Sequence, residues 1–206
     1  ESLLKHFQTH SLKGFGIEGM PQGIIAAGAI LYYLKETEHP NLQHITSVQR
    51  MEREDFLWMD KFTIRNLELY NSTNVNAVTL IDVIDKTISP MGGRMLKRWL
   101  ALPLKDAKKI HHRHEVIQYF LSNEELLVKI QHQIKQIGDI ERLISKIATG
   151  KVNPREVIQL KNSLEAIVPI KGVSSNCANA SLKSIGNHMH SCDILRDKIK
   201  ETLNED

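Results

Sequence analysis

One apolar rhythm constrains this chain more than any other feature. In "DIERLISKIATG" (139–150), Ile140, Leu143, Ile144 and Ile147 recur at i, i+3, i+4 and i+7, the spacing of one helix face. Asp139 is placed to cap the start and Gly150 to end the helix. A second helix then opens at Asn153-Pro154-Arg155-Glu156, where an Asn cap, a Pro at the first position and a Glu at the third agree with one another. Its expected core face is Val157, Leu160, Leu164 and Ile167. The pattern returns over 105–121, with Ile110, Ile117 and Leu121 flanked by Val116 and Phe120. A polar connector is expected over 171–181. A last helix then carries Leu182, Ile185, Met189, Leu195, Ile199 and Leu203.

Towards the N-terminus, residues 2–12 predict a short helix that "KGFGIEG" (13–19) breaks. Pro21 opens another, running to about Thr37. Its Ala26, Ala27, Gly28 and Ala29 are small enough for a second backbone to approach. "EHPNLQH" is a loop. Residues 45–60, with Ile45, Val48, Phe56, Leu57 and Trp58, predict a short β-ribbon. The expected fold is mainly α, with long helices and a small β-ribbon in the N-terminal third.

Several function classes are disfavoured. The 27 basic and 24 acidic residues leave a net charge of +3, too little by itself to imply a nucleic-acid partner. Cys177 and Cys192 stand without zinc-type spacing and make no disulfide framework, so a reduced, cytoplasmic compartment is expected. The longest apolar stretch, "GIIAAGAILYYL" (23–34), is too short to span a bilayer, and no membrane partner is expected. The chain opens on Glu1 and closes on Asp206 in a helical pattern, so a longer parent polypeptide is expected.

The stretch "ISPMGGRMLKRWLALPL" (88–104) concentrates the functional question. Ser89 and Pro90 start a helix. Met91, Met95, Leu96, Trp99 and Leu100 fall on one half of it, and Arg94, Lys97 and Arg98 on the other. Gly92 and Gly93 each cost about 1 kcal/mol relative to alanine inside a helix, which close packing by another backbone would offset. The phosphate-loop pattern GxxxxGK[ST] is absent from the sequence, and no aromatic interleaves with the basic stripe. A packed joint with a basic outer rim is therefore preferred over a phosphate cradle, a nucleic-acid grip or an ordinary solvated face. On this reading Met95, Leu96 and Trp99 anchor the helix in the core. Arg94, Lys97 and Arg98 face outward, toward another domain.

Other clusters carry less. His111, His114 and Glu115, or His188, His190 and Cys192, have spacings that could share a metal, but no second ligand pair accompanies either, so polar helix faces are expected. Asp82 and Asp85 predict helix-start and capping roles rather than acid–base chemistry. Trp58 and Trp99 are expected to be core anchors. No catalytic, cofactor-binding or metal-binding residue is assigned.

"TLIDVIDKTISPMGGRMLKRWLALPL" (79–104) closely resembles the core domain of the MutS DNA mismatch-repair family, through Asp85, Thr87, Met91, Gly92, Arg94, Lys97, Arg98, Trp99, Leu100 and Pro103. "AAGAILYYLKET" (26–37), "MDKFTIRNLEL" (59–69) and "GDIERLISKIATGKVNPRE" (138–156), with Asp139, Arg142 and Pro154, follow in the family's order. Gly93 departs from the serine or other small residue that many members carry. The resemblance implies that residues 1–20 are the end of the connector domain. It makes residues 21–206 the first part of the helical core, or lever, ahead of the clamp insertion. It implies a non-catalytic segment joining mismatch binding and clamping to an ATPase domain elsewhere in the parent, which would hold the ATP and Mg. Implied partners are mismatched double-stranded DNA, the other domains of the same chain, a second copy in the family homodimer, and a MutL-type protein. The implied location is cytoplasmic and nucleoid-associated. The alternative is a stand-alone helical nucleic-acid-binding module.

Overall fold

The structure, a computed structural model, describes residues 1–37, 42–49, 55–74 and 76–203. It divides into two compact units, residues 1–52 with 144–152, and residues 53–143 with 153–206.

In the first unit, α1 (Ser2–His6) and a 3₁₀ turn (Lys13–Phe15) precede α2 (Pro21–Glu36). Leu3, Leu12, Ile17, Leu31 and Leu42 form its core, with Phe7, Phe15, Ile24 and Ile45 packed around them. His6 Nε2 lies 2.9 Å from the Ile45 carbonyl oxygen and ties the start of the chain to the segment after α2. Pro21 occupies the first turn of α2, as its fixed φ favours. A Cβ added at Gly28 of α2 would meet nothing within 4 Å among the described residues, so no backbone approaches there, while Ala27 packs against the core. Ile25, Ile30, Tyr32 and Tyr33 of the same helix are exposed.

The helix around 140–147 is α8 (Ile140–Ala148). Gly150 ends it in the left-handed region at φ +67°. The Gly150 N–H donates to the Ile147 carbonyl and the Lys151 N–H to the Lys146 carbonyl, each at 3.0 Å. This closure needs a residue without a Cβ penalty at φ > 0.

The second unit holds α3 (Lys61–Asn66), α4 (Leu80–Ile84), α5 (Pro90–Ala101), α6 (Ala107–Leu121) and α7 (Glu124–Gln136). It also holds α9 (Pro154–Ser175), α10 (Ala180–His188) and α11 (Asp193–Thr202). Helix α9 is its axis, touched by α7, α10 and α11. A helix surrounded by neighbours needs no single apolar stripe, and the buried residues of α9 include Lys161, Ser163 and Ser174 beside Leu160, Leu164 and Ile170. Leu143, Leu160 and Leu164 form a core cluster that Ile140 and Ile167 flank. At the start of α9, Asn153 Oδ1 accepts from the Glu156 N–H at 2.9 Å and Glu156 Oε2 from the Asn153 N–H at 3.1 Å, a reciprocal cap.

Three sequence expectations are corrected here. The β-ribbon over 45–60 is not present among the described residues; residues 50–54 lie outside them. What remains is one antiparallel bridge between Phe56 and Leu104. It is framed by Leu57 N–H to Pro103 O at 2.8 Å and Lys105 N–H to Asp55 O at 3.1 Å. Pro103 has no N–H to carry the ladder further. The expected connector over 171–181 is helix as far as Ser175, because α10 packs on that stretch and buries Ser174 despite its polar composition. The expected single C-terminal helix is two, α10 and α11, separated where Cys192 sits in the left-handed region at φ +48°.

Candidate functional site

The loop before α5 and the first turn of α5 form one locked unit. Asp85 Oδ1 accepts from the Thr87 N–H at 3.0 Å and from the Thr87 hydroxyl at 2.6 Å. These bonds hold the Asp85 carboxyl below the ordinary carboxylate range, and the charge of Lys97 helps less strongly. Ser89 Oγ then accepts from the Gly92 N–H at 3.1 Å and caps the helix, with Pro90 behind it. A Cβ at Gly92 would stand 3.1 Å from Ser89 Oγ and 3.5 Å from Thr87 Cβ, and one at Gly93 would stand 3.3 Å from Thr87 Oγ1. The paired glycines therefore admit the folded-back capping loop, not a neighbouring helix or strand. Upstream, the Thr79 hydroxyl and N–H both donate to Asp82 Oδ2, at 2.6 and 3.0 Å. Asp82 and Asp85 thus sit as caps.

The basic residues of α5 part company. Arg94 reaches back within its own unit: Nη1 and Nη2 donate to the two Asp139 carboxylate oxygens at 2.9 and 2.7 Å. Its Nε and Nη2 donate to Glu141 Oε2 at 2.9 and 2.6 Å. All three nitrogens of the guanidinium are thereby engaged across the start of α8, a fork–fork geometry suited to arginine. The Arg94 guanidinium beside Asp139 holds that carboxyl below the ordinary range, and the Arg142 N–H, donating at 3.2 Å to the same Oδ1, adds to the effect. Arg94 itself is raised above its ordinary value by Asp139 and then Glu141. Arg142 is otherwise exposed, and Pro154 stands in the first turn of α9. Lys97 lies near Asp82 and Asp85 electrostatically, and its backbone carbonyl accepts from the Tyr70 hydroxyl. Arg98 is exposed.

The expected core anchors are not in the core. Met95 keeps 56% of its surface, Trp99 42% and Trp58 56%, while Leu96 is half-buried. A cleft of about 600 Å³ is lined on α5 by Met91, Met95 and Trp99 together with Arg94 and Arg98, so the apolar and basic residues expected on opposite halves meet along it, and Leu96 does not line it. The Arg113 guanidinium lies 3.5 Å above the Trp99 ring centroid, a cation–π stack that ties α6 to α5. Arg94, expected to face another domain, is half exposed and pairs with Asp139 and Glu141 within this unit.

Glu141 and Tyr70 belong to this constellation without any signal in the sequence, and Phe56, expected in a β-ribbon, lines the cleft instead. Nothing in the spacing of Arg94 and Glu141 along the chain could pair them. Elsewhere, the rings of His111 and His114 lie 6.3 Å apart, edge to face. No group of three His, Cys, Asp or Glu side chains gathers as a metal site among the described residues. Among those residues no helix is long and apolar enough to cross a membrane.

Residues 62–206 match the family model described as MutS domain III, and residues 1–46 match that of MutS domain II. The chain belongs to the MutS family of DNA mismatch repair proteins. It is 65% identical over its whole length to the DNA mismatch repair protein MutS of Flavobacterium johnsoniae and 63% identical to that of Flavobacterium psychrophilum. It is 50% identical to that of Bacteroides fragilis. In each case the chain spans 24% of the relative's length. The locked α5 start and the Arg94 fork lie within the stretch matched by domain III.

Proposed function

We propose that this chain is a non-catalytic lever segment of a mismatch-repair protein. In the full-length polypeptide it would carry conformational change between a region that binds and clamps mismatched double-stranded DNA and an ATPase domain that holds ATP and Mg. Residues 1–20 are assigned to the end of a connector domain and residues 21–206 to the first part of the core. A second copy and a MutL-type protein are the proposed partners, and the cytoplasm the proposed compartment.

One observation supports this reading most. Arg94 joins α5 to the start of α8 through four short hydrogen bonds to two carboxylates. That fork links segments 45 and 47 residues apart in sequence. Coupling between distant sites needs linked elements of this kind, able to be biased from both ends.

Two measurements on the 206-residue chain test the reading. Fluorescence anisotropy with matched and mismatched duplexes at about 0.15 M salt is expected to give only non-specific affinity, on the order of 10⁻⁴–10⁻⁶ M, indifferent to the mismatch. Calorimetry with ATP and Mg is expected to give no binding heat. Tight binding with a steep salt dependence would favour the stand-alone nucleic-acid module, and ATP turnover would contradict the non-catalytic assignment.

A further inference from the structure

The cleft beside α5 contains charge that no described carboxylate of its unit fully answers. Arg94, Arg98 and Arg113 all line it, with Glu141 on its rim. Arg94 is matched by Asp139 and Glu141. Arg98 and Arg113 have no carboxylate within ion-pair reach among the described residues. Arg113 is half-buried against the Trp99 ring, and burial holds its guanidinium below the ordinary value. A partly desolvated cation without a counter-charge is costly unless something supplies one. The floor between the arginines is apolar and open: Phe56, Leu102 and Leu104 are half-buried, and Met95 and Trp99 are exposed.

We infer that this cleft docks an acidic segment with an apolar anchor, supplied by the same full-length polypeptide from outside these 206 residues. The chemistry selects the class. A carboxylate fits the planar guanidinium of Arg98 or Arg113, and an aliphatic or aromatic side chain fills the Met95–Trp99 floor. Nucleic acid fits less well. The Trp99 face that would stack a base already carries Arg113. The source is assigned in cis because the chain spans 24% of its relatives, so most of a family polypeptide lies outside it. A tethered segment also reaches the cleft at high effective concentration. This inference rests on the lever reading above, since it supplies a surface through which force enters α5.

Hydroxyl-radical footprinting tests it by comparing the 206-residue chain with the full-length polypeptide, both dilute and without DNA. Met95 and Trp99 are expected to oxidise readily in the shorter chain and several-fold more slowly in the full-length protein. Arg98→Glu combined with Arg113→Gln should restore the fast rate. Photo-crosslinking from a benzoylphenylalanine in place of Met95 should capture an acidic stretch of the same polypeptide. Far-UV circular dichroism confirms that each variant folds, and Met95→Glu gives an independent way to empty the cleft. Equal rates in the two proteins overturn the inference. So does protection that appears only with DNA, protection that grows with protein concentration, or a crosslink to a segment without carboxylates. An open cleft with intact ATP–DNA coupling sinks the docking inference alone. A covered cleft with coupling insensitive to Arg94→Gln sinks the lever reading alone.

Discussion

Gly186→Ala is the sharpest single test of how the second unit is held together. Helix α10 crosses α9 at this glycine, which is buried. An added methyl would stand 2.5 Å from the Ser175 amide nitrogen and 2.8 Å from both the carbonyl carbon and Cβ of Ser174. Unbonded heavy atoms rest at about 3.5–4.0 Å, so the two helices must part by roughly 1 Å. Backbone atoms cannot rotate away as a flexible side chain can. Overpacking of this kind costs about 1–3 kcal/mol or more, while the gain in helix propensity from Gly to Ala returns at most about 1 kcal/mol. The expected net loss is about 1–2 kcal/mol, or a Tm lowered by about 2–8 °C for a chain of this size. Gly172, in α9, is the matched control: it is exposed and a methyl there meets nothing within 4 Å. Gly172→Ala should stabilise by about 0.5–1 kcal/mol. Urea and thermal unfolding followed by circular dichroism at 222 nm read both variants. If Gly186→Ala is as stable as the parent, the close helix crossing is wrong.

Other expectations follow from the same geometry. Asp139 has a lowered folded-state pKa, so the stability it contributes is full above its unfolded value of about 3.9 and is lost as pH falls through the lower folded value. Arg94→Gln should therefore shift the onset of acid unfolding to higher pH, and NMR titration should find the Asp139 carboxyl nearer its ordinary value. Trp99→Ala should cost about 1–2 kcal/mol in urea unfolding, through lost area and the Arg113 stack, where a fully buried aromatic would cost about 3–5 kcal/mol. Asn153→Ala should cost about 1 kcal/mol, because it removes the cap of α9, with Asn153→Asp expected to restore it in the same assay.

Local signals were legible in the sequence wherever the chemistry is local. Ser89, Pro90, Asn153 and Glu156 act within a turn of themselves, and their hydrogen bonds lie where side-chain type and spacing point. The helical class was legible for the same reason. Periodicity groups Met91, Met95 and Trp99 on α5 but sets Arg94 and Arg98 opposite them, where the structure gathers all five on one cleft, and it cannot say whether a face is covered; Met95 and Trp99 are apolar, co-facial and exposed. The end of α9 was hidden because "KGVSS" reads as polar loop, while the burial that makes it helical comes from α10. The β-ribbon failed because Phe56 pairs with Leu104, beyond any hairpin reach, next to a proline. The role of Arg94 was out of reach altogether. Its partners Asp139 and Glu141 are supplied by tertiary structure, and an arginine on a polar stripe carries no mark of whether it faces solvent or a carboxylate.

A lever role for this chain requires that the Arg94 fork transmit conformational change. The direct measurement is the affinity of the full-length polypeptide for a mismatched duplex, with and without ATP and Mg, in the parent and in Arg94→Gln. Allosteric coupling of this kind is typically about 5–150-fold in affinity and is reciprocal between the two sites. The lever reading predicts that Arg94→Gln leaves nucleotide-free mismatch affinity close to the parent's and shrinks the ATP-induced change several-fold. An ATP-induced change of the same size in the variant, with the fork verified as broken by the Asp139 titration, would contradict it.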